Sequence, residues 1–198
     1  MSIAPEPLRR LSPWVLLAGG LVGLAAAFVL MVEKIRILED PDYVPSCSIN
    51  PVLSCGSVMT TGQAEAFGFP NPLIGIAGFA ATAAIGALML TGARLPRRFR
   101  LSLLGGTAFG IGFVHWLMFQ SLYRIDALCP YCMAVWAVMI PVFWYTALYV
   151  LAREPLPAGA ARAVRAATAY HGVVLTAWYL AIALLILERF WSYWVTLV

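Results

Sequence analysis

Charge is scarce in this chain. Of 198 residues, 11% are charged and 62% are hydrophobic, and the mean hydropathy is +0.86. A soluble domain needs polar residues to face water, so this balance excludes one and points to a polytopic membrane protein. Ionisable residues are almost absent inside the apolar runs. That argues against a transporter of ions or polar solutes, which keeps such groups within the membrane. No internal repeat, low-complexity tract or second domain is visible, so residues 1–198 read as a single membrane domain. Close-set metal knuckles are also lacking. Seven residues separate Cys47 from Cys55, too many for a zinc knuckle. Met133 follows Cys132 where a c-type haem motif needs histidine. No metal site is expected.

What is present is hydrocarbon. Five apolar runs, 14–32, 72–90, 101–123, 127–151 and 169–187, are long enough to span about 30 Å of bilayer core at roughly 1.5 Å per residue. The fold class is therefore an all-α integral membrane protein. The first run follows Arg9 and Arg10, and Ala25-Ala26-Ala27 could imitate a signal cleavage site. The apolar run continues to Val32 and four more follow, so an uncleaved first helix is the better reading. Residues 33–71 form the one long connection.

The few charges are distributed unevenly. Arg94, Arg97, Arg98 and Arg100 crowd one connection, and Arg153, Arg162 and Arg165 another; with Arg9 and Arg10, nine of thirteen basic residues share a side. Seven of nine acidic residues take the other: Glu33, Glu39, Asp40, Asp42, Glu65, Asp126 and Glu188. The positive-inside rule then puts the amino terminus in the cytoplasm, with the carboxy terminus and residues 33–71 outside. Arginines dispersed over membrane-flanking loops do not suggest nucleic-acid binding. Trp191, Tyr193 and Trp194 read as an interfacial belt.

This orientation places four cysteines outside, where disulfides persist. Cys129-Pro130-Tyr131-Cys132 opens the fourth apolar run. Proline is tolerated in a first helical turn, so Cys129 lies at or near the helix start. Cys132 lies one turn deeper on nearly the same face, and the two sulfurs can close a disulfide. Helix N-terminal N–H groups favour a thiolate there. Arg124 could add positive potential or simply flank the membrane, and Asp126 would partly cancel it. Cys47 lies in a loop broken by Pro41, Pro45 and Pro51, expected to be irregular and exposed around that sulfur. Residues 57–69 are moderately amphipathic and could form a surface helix or an ordinary loop. His115, midway along the third run, is a functional candidate by position, or a histidine satisfied by packing. His171 starts the fifth.

Here a resemblance becomes specific. Two cysteines with seven residues between them after a first membrane helix, then Cys-x-x-Cys heading the fourth, look like the vitamin K epoxide reductase family. Cys47-Ser48-Ile49-Asn50-Pro51, Ser54-Cys55 and Phe67-Gly68-Phe69-Pro70-Asn71-Pro72 strengthen the likeness, which extends over residues 10–188. It implies a four-helix bundle around a quinone of menaquinone or ubiquinone type, with a fifth peripheral helix as in many bacterial members. It also implies that electrons arrive at Cys47 and Cys55 and leave through Cys129 and Cys132. Asn71 matches the asparagine that hydrogen-bonds a quinone oxygen; taken alone it would read as a helix N-cap. Thr61 matches a serine or threonine near the pocket. Trp136 matches a position where relatives often carry tyrosine, and its indole N–H has a different reach.

Many bacterial relatives carry a fused thioredoxin-like domain after the fifth helix. This chain stops at Val198, so an extracytoplasmic thioredoxin-fold thiol oxidase acting in trans is the expected donor. The resemblance thus implies a quinone-linked disulfide oxidoreductase of a bacterial cytoplasmic membrane, supporting disulfide formation. The expected path runs from the partner to Cys47, through Cys55 as relay, to the Cys129–Cys132 pair, with Cys132 facing the quinone. Reduction of vitamin K epoxide is the less expected role. One rival is a non-catalytic transport or assembly factor stapled by two structural disulfides. Another is the unrelated bacterial quinone-linked disulfide oxidase, which has its cysteine pairs in the reverse order.

Overall fold

The computed structural model describes residues 6–196, without the side chains of Glu6, Pro7 and Arg9; Val198 also lies outside the described residues. Among the described residues, five helices are long and apolar enough to cross a membrane. The first, α1, runs over Glu6–Glu39. Its 34 residues extend about 50 Å, longer than the hydrocarbon core is thick, and its last turns stand among the cysteine loops. A short helix α2 (Cys55–Met59) and a 3-10 turn over Gly62–Glu65 follow. Then come α3 (Pro72–Leu90) and α4 (Arg97–Gln120), which passes into a π-helical turn at Ser121–Ile125. Helix α5 covers Pro130–Leu151, α6 Ala158–Ala169, α7 His171–Arg189 and α8 Trp191–Val195. No sheet occurs among the described residues; Leu53 and Leu128 form one isolated parallel bridge.

Two segments differ from the sequence reading. Residues 57–69 form neither a continuous surface helix nor a plain loop. The helix breaks at Thr60 and Thr61, whose hydroxyls bond back to the carbonyls of Gly56 and Val58. Residues 158–169, read as a simple connection, are helix α6. Alanine-rich sequence favours a helix, and exposed Arg162 and Arg165 keep it out of the hydrocarbon.

Helix α1 packs against α3 and α5, and α4 packs against α5. Small residues allow the close approach. A Cβ on Gly20 would stand 2.5 Å from the backbone nitrogen of Ala83, and one on Gly86 would strike the backbone of Leu17. Where lipid replaces water, such dispersion contacts supply much of the helix association. At the arginine-rich end, Glu154 takes Arg97 Nε at 2.7 Å and Arg100 at 3.0 Å. Hydrogen bonding from Arg97 holds its carboxyl below the usual carboxylate range.

Helix α7 is peripheral and pinned by polar contacts. The Trp178 indole donates to His115 Nε2 at 3.0 Å, and His115 Nδ1 donates to the Ile111 carbonyl at 2.9 Å. Both ring nitrogens of His115 are thus engaged in packing, which leaves no free nitrogen for chemistry. Tyr179 donates to the Ala137 carbonyl, and the Tyr145 hydroxyl lies 2.8 Å from His171 Nδ1. Without water as a competitor, each such partner matters.

The glycine contacts give a direct check. Gly86→Ala should cost about 1–3 kcal/mol through overpacking. Gly105→Ala, where a Cβ meets nothing within 4 Å, should be neutral or stabilising. Thermal unfolding of the two variants in detergent measures the contrast; equal melting temperatures would contradict it.

Candidate functional site: two cysteine pairs above an apolar cavity

The site begins with a turn. The Asn50 side-chain oxygen accepts from the N–H groups of Val52 and Leu53 at 3.0 and 2.7 Å. Such a turn needs a short polar side chain. It presents Val52 and Ser54 to the strand-like residue Leu128. Leu128 N–H donates to the Val52 carbonyl at 2.7 Å, and Ser54 N–H donates to the Leu128 carbonyl at 2.8 Å. Cys129 directly follows Leu128, and Cys55 stands two residues past Leu53. Ser54 caps α2, which starts at Cys55, and Cys129 caps α5 in an extended conformation with Pro130 at the first helical position.

Cys47 and Cys55 are joined in a disulfide, with their Cα atoms 5.6 Å apart. Cys129 and Cys132 are free thiols. Cys55 Sγ lies 3.1 Å from Cys129 Sγ, and the sulfurs of Cys47, Cys55 and Cys129 all fall within 4.8 Å of one another. Disulfide sulfurs carry no thiolate for a metal, so this cluster is arranged for exchange. Cys132 N–H points to Cys129 Sγ at 3.4 Å. The start of α5, with its unpaired N–H groups, favours a thiolate at Cys129.

The expected exposure of Cys47 is not what the structure has. The loop is irregular, and Val44 and Ile49 are 71% and 67% exposed, yet Cys47 itself is 5% exposed. It packs with Leu30, Cys55, Met59 and Cys129 in one apolar cluster. The cause is a buried carboxylate at the end of α1. Glu33 accepts from the Ser46 hydroxyl at 2.9 Å and from the Tyr43 hydroxyl at 2.8 Å, drawing the loop inward.

Below the cysteines lies a cavity of about 420 Å³. Its walls come from α1, α3, α4 and α5 and are mostly apolar. Cys132 and Trp136 stand on the α5 wall, with Thr61, Gln63 and Asn71 at the loop end. Cys132, Thr61, Asn71 and Trp136 therefore converge on one space, while Cys129 faces Cys55. Asn71 does not cap its own helix: its side chain bonds none of the α3 N–H groups. Instead Nδ2 donates to the Gln63 carbonyl at 2.7 Å, and Oδ1 accepts from Ala66 N–H at 3.1 Å. The amide thus ties down the cavity's roof and keeps a second N–H for a ligand. The Thr61 hydroxyl donates to the Val58 carbonyl at 2.8 Å, so towards the cavity it can only accept.

Three charged residues matter more than their sequence context suggested. Glu33 was read only as an outer acidic residue. Lys34 is 7% exposed; its Nζ donates to the Met59 carbonyl at 2.8 Å and pairs with Glu65 at 2.9 Å, bracing the same roof. The signal was available, since adjacent opposite charges close an apolar run just before the cysteine loop. Arg189, and not the nearer Arg124, is the cation that meets Asp126 beside the cysteine turn. Arg124 is exposed, whereas Arg189 pairs with Asp126.

No curated protein matches the chain. The family-level comparison is decisive: the vitamin K epoxide reductase family matches residues 14–147. That interval is shorter than the resemblance over 10–188. It holds all four cysteines and every residue lining the cavity, and it leaves α6, α7 and α8 outside. With the site complete inside a match that covers most of its length, the chain belongs to the vitamin K epoxide reductase family.

Proposed function

We infer that this protein is a membrane thiol oxidoreductase that moves electrons from a reduced extracytoplasmic thioredoxin-fold protein, through two cysteine pairs, to a membrane quinone. A general thiol-redox function follows from the family and from the clustered sulfurs. The observation that carries the finer reading is the sulfur path. Cys55 and Cys129 are in contact, and Cys132, one turn on, reaches the cavity wall. Structural staples would need neither a free thiol against a disulfide nor a sulfur on a cavity.

The cavity suits a quinone headgroup. Its volume is in the usual ligand range, its walls are apolar, and polar groups gather at the loop end beside Cys132. A bound quinone supplies a two-electron, two-proton acceptor soluble in lipid. The protein's part is exchange and placement. A partner thiolate attacks Cys47, releasing Cys55 as thiolate. Because Cys47 is buried, the loop held by Glu33 must yield before that attack. Val44 and Ile49 offer the partner an exposed apolar approach on that loop. Cys55 then attacks Cys129 of the oxidised helical pair, releasing Cys132. The partner's second thiol closes the partner's own disulfide and releases Cys47 as a thiolate; Cys47 then attacks Cys55 of the Cys55–Cys129 disulfide and releases Cys129, so the loop pair recloses and Cys129 and Cys132 both stand as thiols. Asn71 orients an acceptor oxygen and stabilises negative charge developing on it.

The orientation proposed from the charge bias places the cysteine end outside the cytoplasm and the Arg94–Arg100 end within it.

The defining experiment is anaerobic quinone reduction by purified protein given a reduced thioredoxin-fold donor. Cys132→Ser should abolish turnover with any reductant. Cys47→Ala should abolish turnover with the protein donor and retain part of it with a membrane-permeant dithiol. Equal loss with both donors would contradict the division of labour between the pairs.

Asn71→Ala tests the amide. Losing a hydrogen bond to developing charge typically costs about 3 kcal/mol, or roughly a hundredfold in kcat. If Asn71 only braces the roof, KM for the quinone should rise with kcat preserved. A wild-type kcat in the folded variant would remove Asn71 from catalysis.

A further inference from the structure

The cysteine turn depends on a residue outside the family match. Helix α4 ends in the π turn Ser121–Ile125, and the chain reverses at Asp126, whose φ of 58° is the one positive φ at a non-glycine residue among those described. Aspartate tolerates that conformation better than most residues. Two residues later Leu128 enters the bridge, and Cys129 follows. The terminal carbonyls of a helix need partners. Arg189, the last residue of α7, supplies them from another span. Its Nε donates to the Leu122 carbonyl at 2.7 Å, and its terminal nitrogen pairs with the Asp126 carboxylate.

One planar guanidinium thus grips both sides of the reversal. Its own position is fixed by α7, which is held at Trp178 by His115 and at Tyr179 by the Ala137 carbonyl. The plain alternative is that Arg189 merely flanks the membrane. Such a residue needs no bond to a buried carbonyl, and Leu122 is 1% exposed.

We propose that Arg189 is a positioning residue for exchange between the cysteine pairs, fixing the Leu122–Asp126 turn so that Cys129 Sγ stays against Cys55 Sγ. The fifth membrane helix is then part of the redox machinery. This rests on the reading that Cys55 and Cys129 exchange, and it needs neither the donor nor the quinone to be as proposed.

The test is a disulfide equilibrium in the full chain. The double variant Cys47→Ser, Cys132→Ser keeps only Cys55 and Cys129. In detergent, without oxygen, it is equilibrated with glutathione and glutathione disulfide. Forming the Cys55–Cys129 bond passes two electrons and two protons to glutathione disulfide, giving two glutathione thiols. The constant for this reaction reports how closely the two sulfurs are held. Adding Arg189→Ala should lower it roughly tenfold or more, since small misplacements of reacting atoms cost that much. Arg189→Lys, which keeps the charge but cannot grip both groups, should fall between. A fall of less than about threefold with Arg189→Ala overturns the proposal. A melting temperature lowered without that change is a structural role only, and overturns it equally. If Arg189→Ala does not fold, Asp126→Asn is judged by the same limit. Loss of quinone turnover as the proposed activity would leave this constant untouched, so the two ideas fail separately.

Discussion

Two backbone hydrogen bonds across the Leu53–Leu128 bridge hold the redox site in register. Everything chemical lies one or two residues away. Cys55 follows on one side, Cys129 on the other, and the bridge fixes their separation while leaving both sulfurs at helix starts. The rest of the cysteine end serves that register. Asn50 shapes the approach to it, Glu33 draws in the Cys47 loop, and Asp126 with Arg189 sets the turn leading to Leu128. A bridge of one residue is weak alone. It persists because each flank is tied to a membrane helix.

The same economy governs the cavity. Its roof is a broken segment, 59–71, with no hydrophobic core of its own. Lys34 holds it from α1, and Asn71, just before α3, ties it at its far end, through bonds to backbone carbonyls and N–H groups. Asn71 therefore has two tasks compatible in one amide, since bracing uses one N–H and the oxygen while the second N–H remains. Deeper in the bundle polar groups are few, and the notable ones are spent on helix docking. His115 and Trp178 satisfy each other where water cannot.

Much of this was legible in the residues. Five apolar runs gave five helices, because hydrocarbon thickness fixes span length. The prolines at 72 and 130 marked helix starts, and the three-residue spacing of Cys129 and Cys132 put the deeper sulfur one turn into α5. Other readings failed for physical reasons. Cys47 sits in a loop whose composition suggests exposure, but a carboxylate from a different element buries it. Asn71 has the right type and position for an N-cap, yet its amide finds better partners in the preceding loop. Residues 158–169 were too polar to read as a span and too short to stand out, though alanine alone makes them helical.

Sequence by itself determined the membrane class, the number of spans, the two cysteine pairs and the family likeness, because those are local: run length, residue type and spacing. Tertiary structure alone decided that Cys47 is buried, that Cys55 meets Cys129, and that Glu33, Lys34 and Arg189 support them. These contacts join residues up to 74 positions apart, as in the Cys55–Cys129 pair. No local pattern encodes them; they arise when separate helices pack at fixed depth and angle, and only then do distant side chains find the same point in space.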